Sequence, residues 1–202
     1  MSMDRRNFLS LGLSAAACSL AGMPAAAMTG VGASAQQGPG TLAGPPQDFV
    51  IDPIYMRQIV PYEGPGRPGT IVVRTKTRFV YLVLQNGEAL RYGCGIGRDG
   101  FSWSGEATVA RKAVWPAWYP PPEMRKRQPE LPVMMAGGIK NPLGARALYL
   151  YQNGVDTLYR IHGTTEAWTM GQAVSSGCVR LMNDDIIDLH QRVPTGTRVI
   201  VI

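Results

Sequence analysis

Two Asn-Gly pairs, each set between runs of β-branched and aromatic residues, constrain the fold of this chain more than any other feature. Asn86-Gly87 joins "RFVYLVLQ" (78–85) to "EALRYGCG" (88–95), and Asn153-Gly154 joins "ALYLYQ" (147–152) to "DTLYRIH" (156–162). Both residues of such a pair tolerate positive φ, which tight hairpin turns require. Each pair therefore predicts a β-hairpin, and "TIVVRT" (70–75), "ATVARKAV" (107–114) and the closing "TRVIVI" read as further strands, the last one buried.

One helix stands out. In "NDDIIDLHQRV" (183–193), Asn183 is the expected N-cap and Asp184 and Asp185 suit the positive end of the dipole. Ile186, Ile187 and Leu189 supply the apolar face, and Pro194 and Gly196 end the helix. Between the strands, "WPAWYPPPEM" (Trp115 to Met124) is too rich in proline for regular structure. It reads as a long aromatic loop, and Trp115, Trp118 and Tyr119 make it a candidate lid. The expected fold is mostly β, a sandwich or open barrel with one helix.

The first 35 residues read as an export signal rather than structure. Arg5-Arg6 precedes Asn7-Phe8-Leu9 and an apolar run, with Ala-x-Ala ends at Ala27 and Ala35. The paired arginines resemble a twin-arginine signal, which predicts an exported protein of the periplasm or cell envelope with no lasting transmembrane anchor. Lipidation at Cys18 is disfavoured because Ala15 stands where a large aliphatic residue belongs. Residues 36–66 read as linker and N-terminal extension, and 67–202 as one catalytic-sized domain.

The chain carries a formal charge of +6, which becomes +5 without the signal. Its lysines and arginines are scattered rather than striped with aromatics, which excludes a nucleic-acid reading. Past the signal the cysteines are Cys94 and Cys178, and the histidines are His162 and His190. These show no paired zinc-ligand spacing, so no metal or other cofactor is expected. A Cys94–Cys178 disulfide and a free reactive thiol remain alternatives at this point.

The stretch "SSGCVRL" (175–181) carries the chemistry. A thiol nucleophile needs a base to take its proton and donors for an oxyanion. His162 falls at the predicted end of a strand, sixteen residues before Cys178. Ser175, Ser176 and Gly177 are small enough for a substrate to approach the backbone closely, and the amides of Gly177 and Cys178 are candidate oxyanion donors. Arg180, two residues after the cysteine, shares its face of an extended strand and suits a carboxylate. Singly, each of these is more often a packing or surface residue; the pattern is more specific than its parts.

"IHGTTEAWTMGQAVSSGCVRL" (161–181) resembles the signature of the YkuD-type L,D-transpeptidases, and "NPLGARALYL" and "NDDIIDLHQRVPTGTRVIVI" resemble its flanks. The resemblance implies a β-rich domain that cuts and rejoins peptidoglycan stem peptides. Cys178 would be the nucleophile, His162 the base, and the Gly163 carbonyl the group that orients the imidazole. Arg180, Ser175, Ser176 and Trp168 would bind substrate. Ser176 stands where many members have histidine, and Cys94 has no functional counterpart. A carbapenem would acylate Cys178. The resemblance leaves open 3→3 cross-linking, attachment of an envelope protein, hydrolysis as an L,D-carboxypeptidase, or a non-catalytic peptidoglycan-binding module. Sortases, with a more distant histidine and a later arginine, fit less well.

Overall fold

Both Asn-Gly pairs form the turns expected of them. In the computed structural model, which describes residues 48–98, 103–175 and 177–202, Asn86 and Gly87 have φ of 61° and 74°, and Asn153 and Gly154 of 51° and 79°. The first pair joins β3 (Phe79–Val83) to β4 (Glu88–Gly93), and the second joins β7 (Arg146–Gln152) to β8 (Val155–His162). The export signal, Cys18 and Ser176 lie outside the described residues.

The mostly-β expectation holds. A nine-stranded sheet runs in the order β1-β4-β3-β2-β11-β6-β7-β8-β10. Its remaining strands are β1 (Gln58–Pro61), β2 (Ile71–Arg74), β6 (Gly105–Val114), β10 (Val179–Arg180) and β11 (Arg198–Val201). Two short strands, β5 (Ile96–Gly97) and β9 (Ala173–Ser175), pair in parallel beside it. β1 falls within the stretch expected to be linker and N-terminal extension. It is a largely exposed edge strand ending at Pro61, so no alternation marked it.

The chain's last strand occupies the middle of the sheet. β11 runs parallel to β2, with Val199 opposite Ile71, and antiparallel to β6, with Val199 opposite Ala107. Val199, Ile200 and Val201 are all buried, which accounts for an unbroken apolar run rather than an alternating one.

α2 (Asn183–Arg192) packs Ile186 and Leu189, both fully buried, into a core shared with Leu148, Ile161 and Leu181. Burial of such side chains contributes about 2 kcal/mol each. Two local expectations are corrected here. Asn183 is not the N-cap: Met182 holds that position, and Asn183 is the first helical residue. Its Oδ1 instead accepts the Ala145 amide hydrogen at 2.9 Å and lies so close to Gly163 that a Cβ there would not fit. The aromatic loop also contains regular structure, the short helix α1 (Pro122–Arg127), which starts on a proline because the first helical N–H needs no intrahelical partner.

That loop is tied down. Trp118 and Met135 exchange backbone hydrogen bonds of 2.8 Å in both directions. The buried Asn141 donates its amide to the carbonyls of Pro116, Met135 and Ala136, while its Oδ1 accepts from the Leu143 amide.

Candidate active site

Strand register assembles the site. β10 runs parallel to β8 with Arg180 opposite His162 and Val179 opposite Ile161. Side chains alternate along strands, so Arg180 and His162 share a face; Arg160, two residues before His162 in β8, joins them there, and Cys178 immediately precedes β10. His162 ends its strand 4 % exposed, and its Nδ1 lies 2.5 Å from the Gly163 carbonyl oxygen. With Nδ1–H donating to that oxygen, the other ring nitrogen is left as the acceptor.

Cys94 and Cys178 are both free thiols, which removes the disulfide alternative. Cys94 is wholly buried and belongs to the core. Cys178 is half-buried, and its Sγ lies 4.0 Å from the Leu158 carbonyl oxygen. The loop before it is braced by Ser175, whose Oγ donates to the Cys178 carbonyl at 2.6 Å and accepts the Gly177 amide hydrogen at 3.2 Å. Gly177 adopts φ of 119°, which its lack of a Cβ permits. The Gly177 amide, expected as an oxyanion donor, is thus already engaged within the loop.

Burial favours the neutral form of both side chains. It pushes the Cys178 thiol up, against the opposing pull of the Arg160 amide and of the Arg160 and Arg180 guanidiniums. Burial first and the Arg180 charge second lower the His162 imidazole to about 4, more than its backbone hydrogen bonds to Gly163 and Leu143 raise it. At neutral pH the pair is therefore thiol and neutral imidazole rather than a preformed ion pair.

Two clefts reach Cys178. The smaller, about 390 Å³, holds His162, Ser175 and Arg180; the larger, about 650 Å³, holds Arg111, Tyr149 and Arg160. Trp118 and Leu158 line both, so the aromatic loop contributes to the walls of the clefts that reach the thiol. Trp115 lines neither, and Trp168, on the 3-10 turn Ala167–Thr169, also stays outside both. Ser176 lies outside the described residues.

Sequence reasoning missed three features. Glu166 pairs with Arg180 (Oε2 to Nη1, 2.7 Å), so the arginine expected to await a carboxylate already holds one. Leu158 sits at φ of 63° and is 75 % exposed, an unusual conformation for a bulky residue and one that the flanking chain must impose. Arg160 could have been found, because it precedes His162 by two residues and must share its face. Among the described residues, no group of three or more acidic, histidine or cysteine side chains could hold a metal ion, and no helix is long and apolar enough to cross a membrane.

Residues 68–201 match the family model of the YkuD L,D-transpeptidase catalytic domain. Two Escherichia coli K12 proteins described as probable L,D-transpeptidases are similar. ErfK/SrfK is 38% identical over 144 residues, covering 67% of this chain and 44% of that protein. YbiS is 35% identical over 139 residues, covering 65% and 43%. The chain thus spans less than half the length of these relatives. A crystal structure from Brucella melitensis, described as a probable carnitine operon oxidoreductase caia, is 46% identical with a TM-score of 0.51, covering 75% of this chain and 96% of that one.

Proposed function

The chain belongs to the YkuD family of L,D-transpeptidase catalytic domains, and from that premise we propose that it is a cysteine acyltransferase acting on peptidoglycan tetrapeptide stems. The observation that carries the reading is that His162, Cys178 and Arg180 line one cleft, with Arg180 opposite His162 in the parallel β8–β10 register. In the proposed reaction the Cys178 thiol turns from the Leu158 carbonyl toward His162 and gives its proton to the free ring nitrogen. The sulfur attacks the carbonyl carbon of the third stem residue, and the Cys178 amide donates to the oxyanion; Gly177 joins it only by exchanging Ser175 for the substrate oxygen. The carbon–nitrogen bond to the terminal D-alanine breaks, and the leaving amine takes the proton from His162. An amine on a second stem, or on an envelope protein, then attacks the thioester and gives its proton back through His162 to the departing sulfur. The thioester conserves the acyl energy, so no nucleotide is consumed.

Arg180 and Glu166 fit the role of holding a peptide terminus, the arginine's Nε being buried without a protein partner among the described residues. No metal or cofactor takes part in this scheme. The place of action is the cell envelope, reached through the twin-arginine-like signal. The test is incubation of mature protein with disaccharide-tetrapeptide, read by mass spectrometry in wild-type and Cys178→Ala forms. A cysteine-dependent dimer lacking one D-alanine is the expected product. Tripeptide with free D-alanine and no dimer would make the protein an L,D-carboxypeptidase or require a protein acceptor. An unchanged substrate with both forms would leave the non-catalytic module.

A further inference from the structure

Three adjacent strands place Arg111, Tyr149 and Arg160 in one row that leads to Cys178. β6 pairs with β7 so that Arg111 faces Tyr149, and β7 pairs with β8 so that Tyr149 faces Arg160. All three line the larger cleft together with Cys178. The Arg111 guanidinium lies 3.4 Å from the Tyr149 ring centroid and that of Arg160 lies 4.3 Å from it, one cation from each neighbouring strand.

A bulge creates this row. Val109 pairs with Leu150 and is fully buried, whereas Arg111 pairs with Tyr149, so Ala110 is an extra residue in β6. Without it, alternation would send Arg111 to the same core face as Val109. With it, Arg111 reaches the Cys178 face, in keeping with the use of bulges to re-aim side chains near sites. A second irregularity, in β8 around Leu158, sits beside the other end of the row.

The three arginines that line the clefts differ in charge compensation. Arg180 is paired with Glu166, and Arg160 is held in a fork by both oxygens of Asp156, at 2.7 and 2.9 Å. Arg111 is exposed and has no carboxylate at ion-pair distance among the described residues, although Asp156 lies within its electrostatic reach. A guanidinium seated over an aromatic ring is held there by cation–π attraction while its N–H donors can still reach a ligand, and those donors match the two oxygens of a carboxylate.

We propose that Arg111, seated on Tyr149, is a carboxylate-recognition residue of the larger cleft, selecting a peptide that carries a free carboxylate over its amidated counterpart. This rests on the transpeptidase reading for the identity of the peptide. It adds a specificity determinant in the larger cleft, which also reaches Cys178. Arg160, fixed by Asp156, positions the tyrosine from the other strand.

The test measures calorimetric binding to the full mature chain carrying Cys178→Ala, so that no turnover intervenes. The probes are a synthetic stem tetrapeptide with free carboxylates and the same peptide with its carboxylates amidated. Arg111→Gln is expected to weaken binding of the free acid by about tenfold or more and to leave the amidated peptide unchanged. Arg111→Lys, which keeps the charge without the fork, is expected to fall between. Thermal melting of each variant verifies folding. Equal affinities for the free acid with and without Arg111→Gln, or equal losses for both peptides, would overturn the proposal alone. A parent protein that binds neither peptide would instead overturn the peptidoglycan reading on which it rests.

Discussion

The hairpins at Asn86-Gly87 and Asn153-Gly154 start from the same turn and diverge within a few residues. β3 and β4 pair without interruption from Phe79 opposite Gly93 to Val83 opposite Ala89, and their inward side chains fill the core. β7 and β8 lose register between Tyr149 and Tyr151; Leu158 is thrown outward at positive φ, and the strand ends on a buried histidine. The regular hairpin is used for packing. The irregular one brings Leu158, Arg160 and His162 into the clefts that reach Cys178, in keeping with the use of bulges to re-aim side chains.

The largest expected break in this comparison comes at the end of the irregular hairpin. His162→Asn should lower turnover by about 10²–10⁴-fold, the range of a positioned general base. A loss of less than tenfold, measured as kcat/KM on tetrapeptide, would put the base elsewhere. Next come two leucines in opposite settings. Leu82→Ala, in the regular hairpin, should cost about 2–4 kcal/mol in denaturant unfolding while kcat/KM per folded molecule stays unchanged. Leu158→Gly should cost no stability, since glycine relieves a left-handed backbone penalty of about 1 kcal/mol, yet should raise KM because Leu158 lines both clefts. Equal stability losses at the two positions would erase the distinction.

Much of this division was legible in the sequence, and its limits are physical. The Asn-Gly turns are local conformational preferences, so they could be read directly, as could the apolar and aromatic runs behind β3, β4 and β7 and the apolar stripe of α2. The His162, Cys178 and Arg180 set was legible because its spacing matches a family signature. The bulge at Ala110 was not, because nothing in "TVARKA" prefers one register over another until β7 is in place. Asn183 misled for a related reason: its side chain suits an N-cap, but the tertiary contact with Ala145 and Gly163 claims it. Glu166 gave no local sign of pairing with Arg180, fourteen residues on in another element.

A smaller effect concerns pH. In the proposed reaction the imidazole of His162 must be neutral to accept the proton, and burial together with Arg180 lowers it to about 4. Activity should therefore persist as pH falls below 6.5, the ordinary histidine value, and be lost only as it passes about 4. The same depressed value makes this histidine's contribution to stability full above pH 6.5 and lost as pH falls through about 4. Arg180→Gln should move the acid limb of the kcat/KM profile upward, because it removes a cation that opposes protonation. A limb that stays in place, or moves down, would contradict the electrostatic assignment.

The central claim is that Cys178, and not the buried Cys94, is the acylated nucleophile. The most direct measurement is intact-protein and peptide mass spectrometry after exposure to a carbapenem, in wild-type and Cys178→Ala forms. The predicted result is one adduct on the peptide containing Cys178 in the wild type and none in the variant. An adduct on Cys94, or no carbapenem adduct on a Cys178 that iodoacetamide readily alkylates, would contradict it.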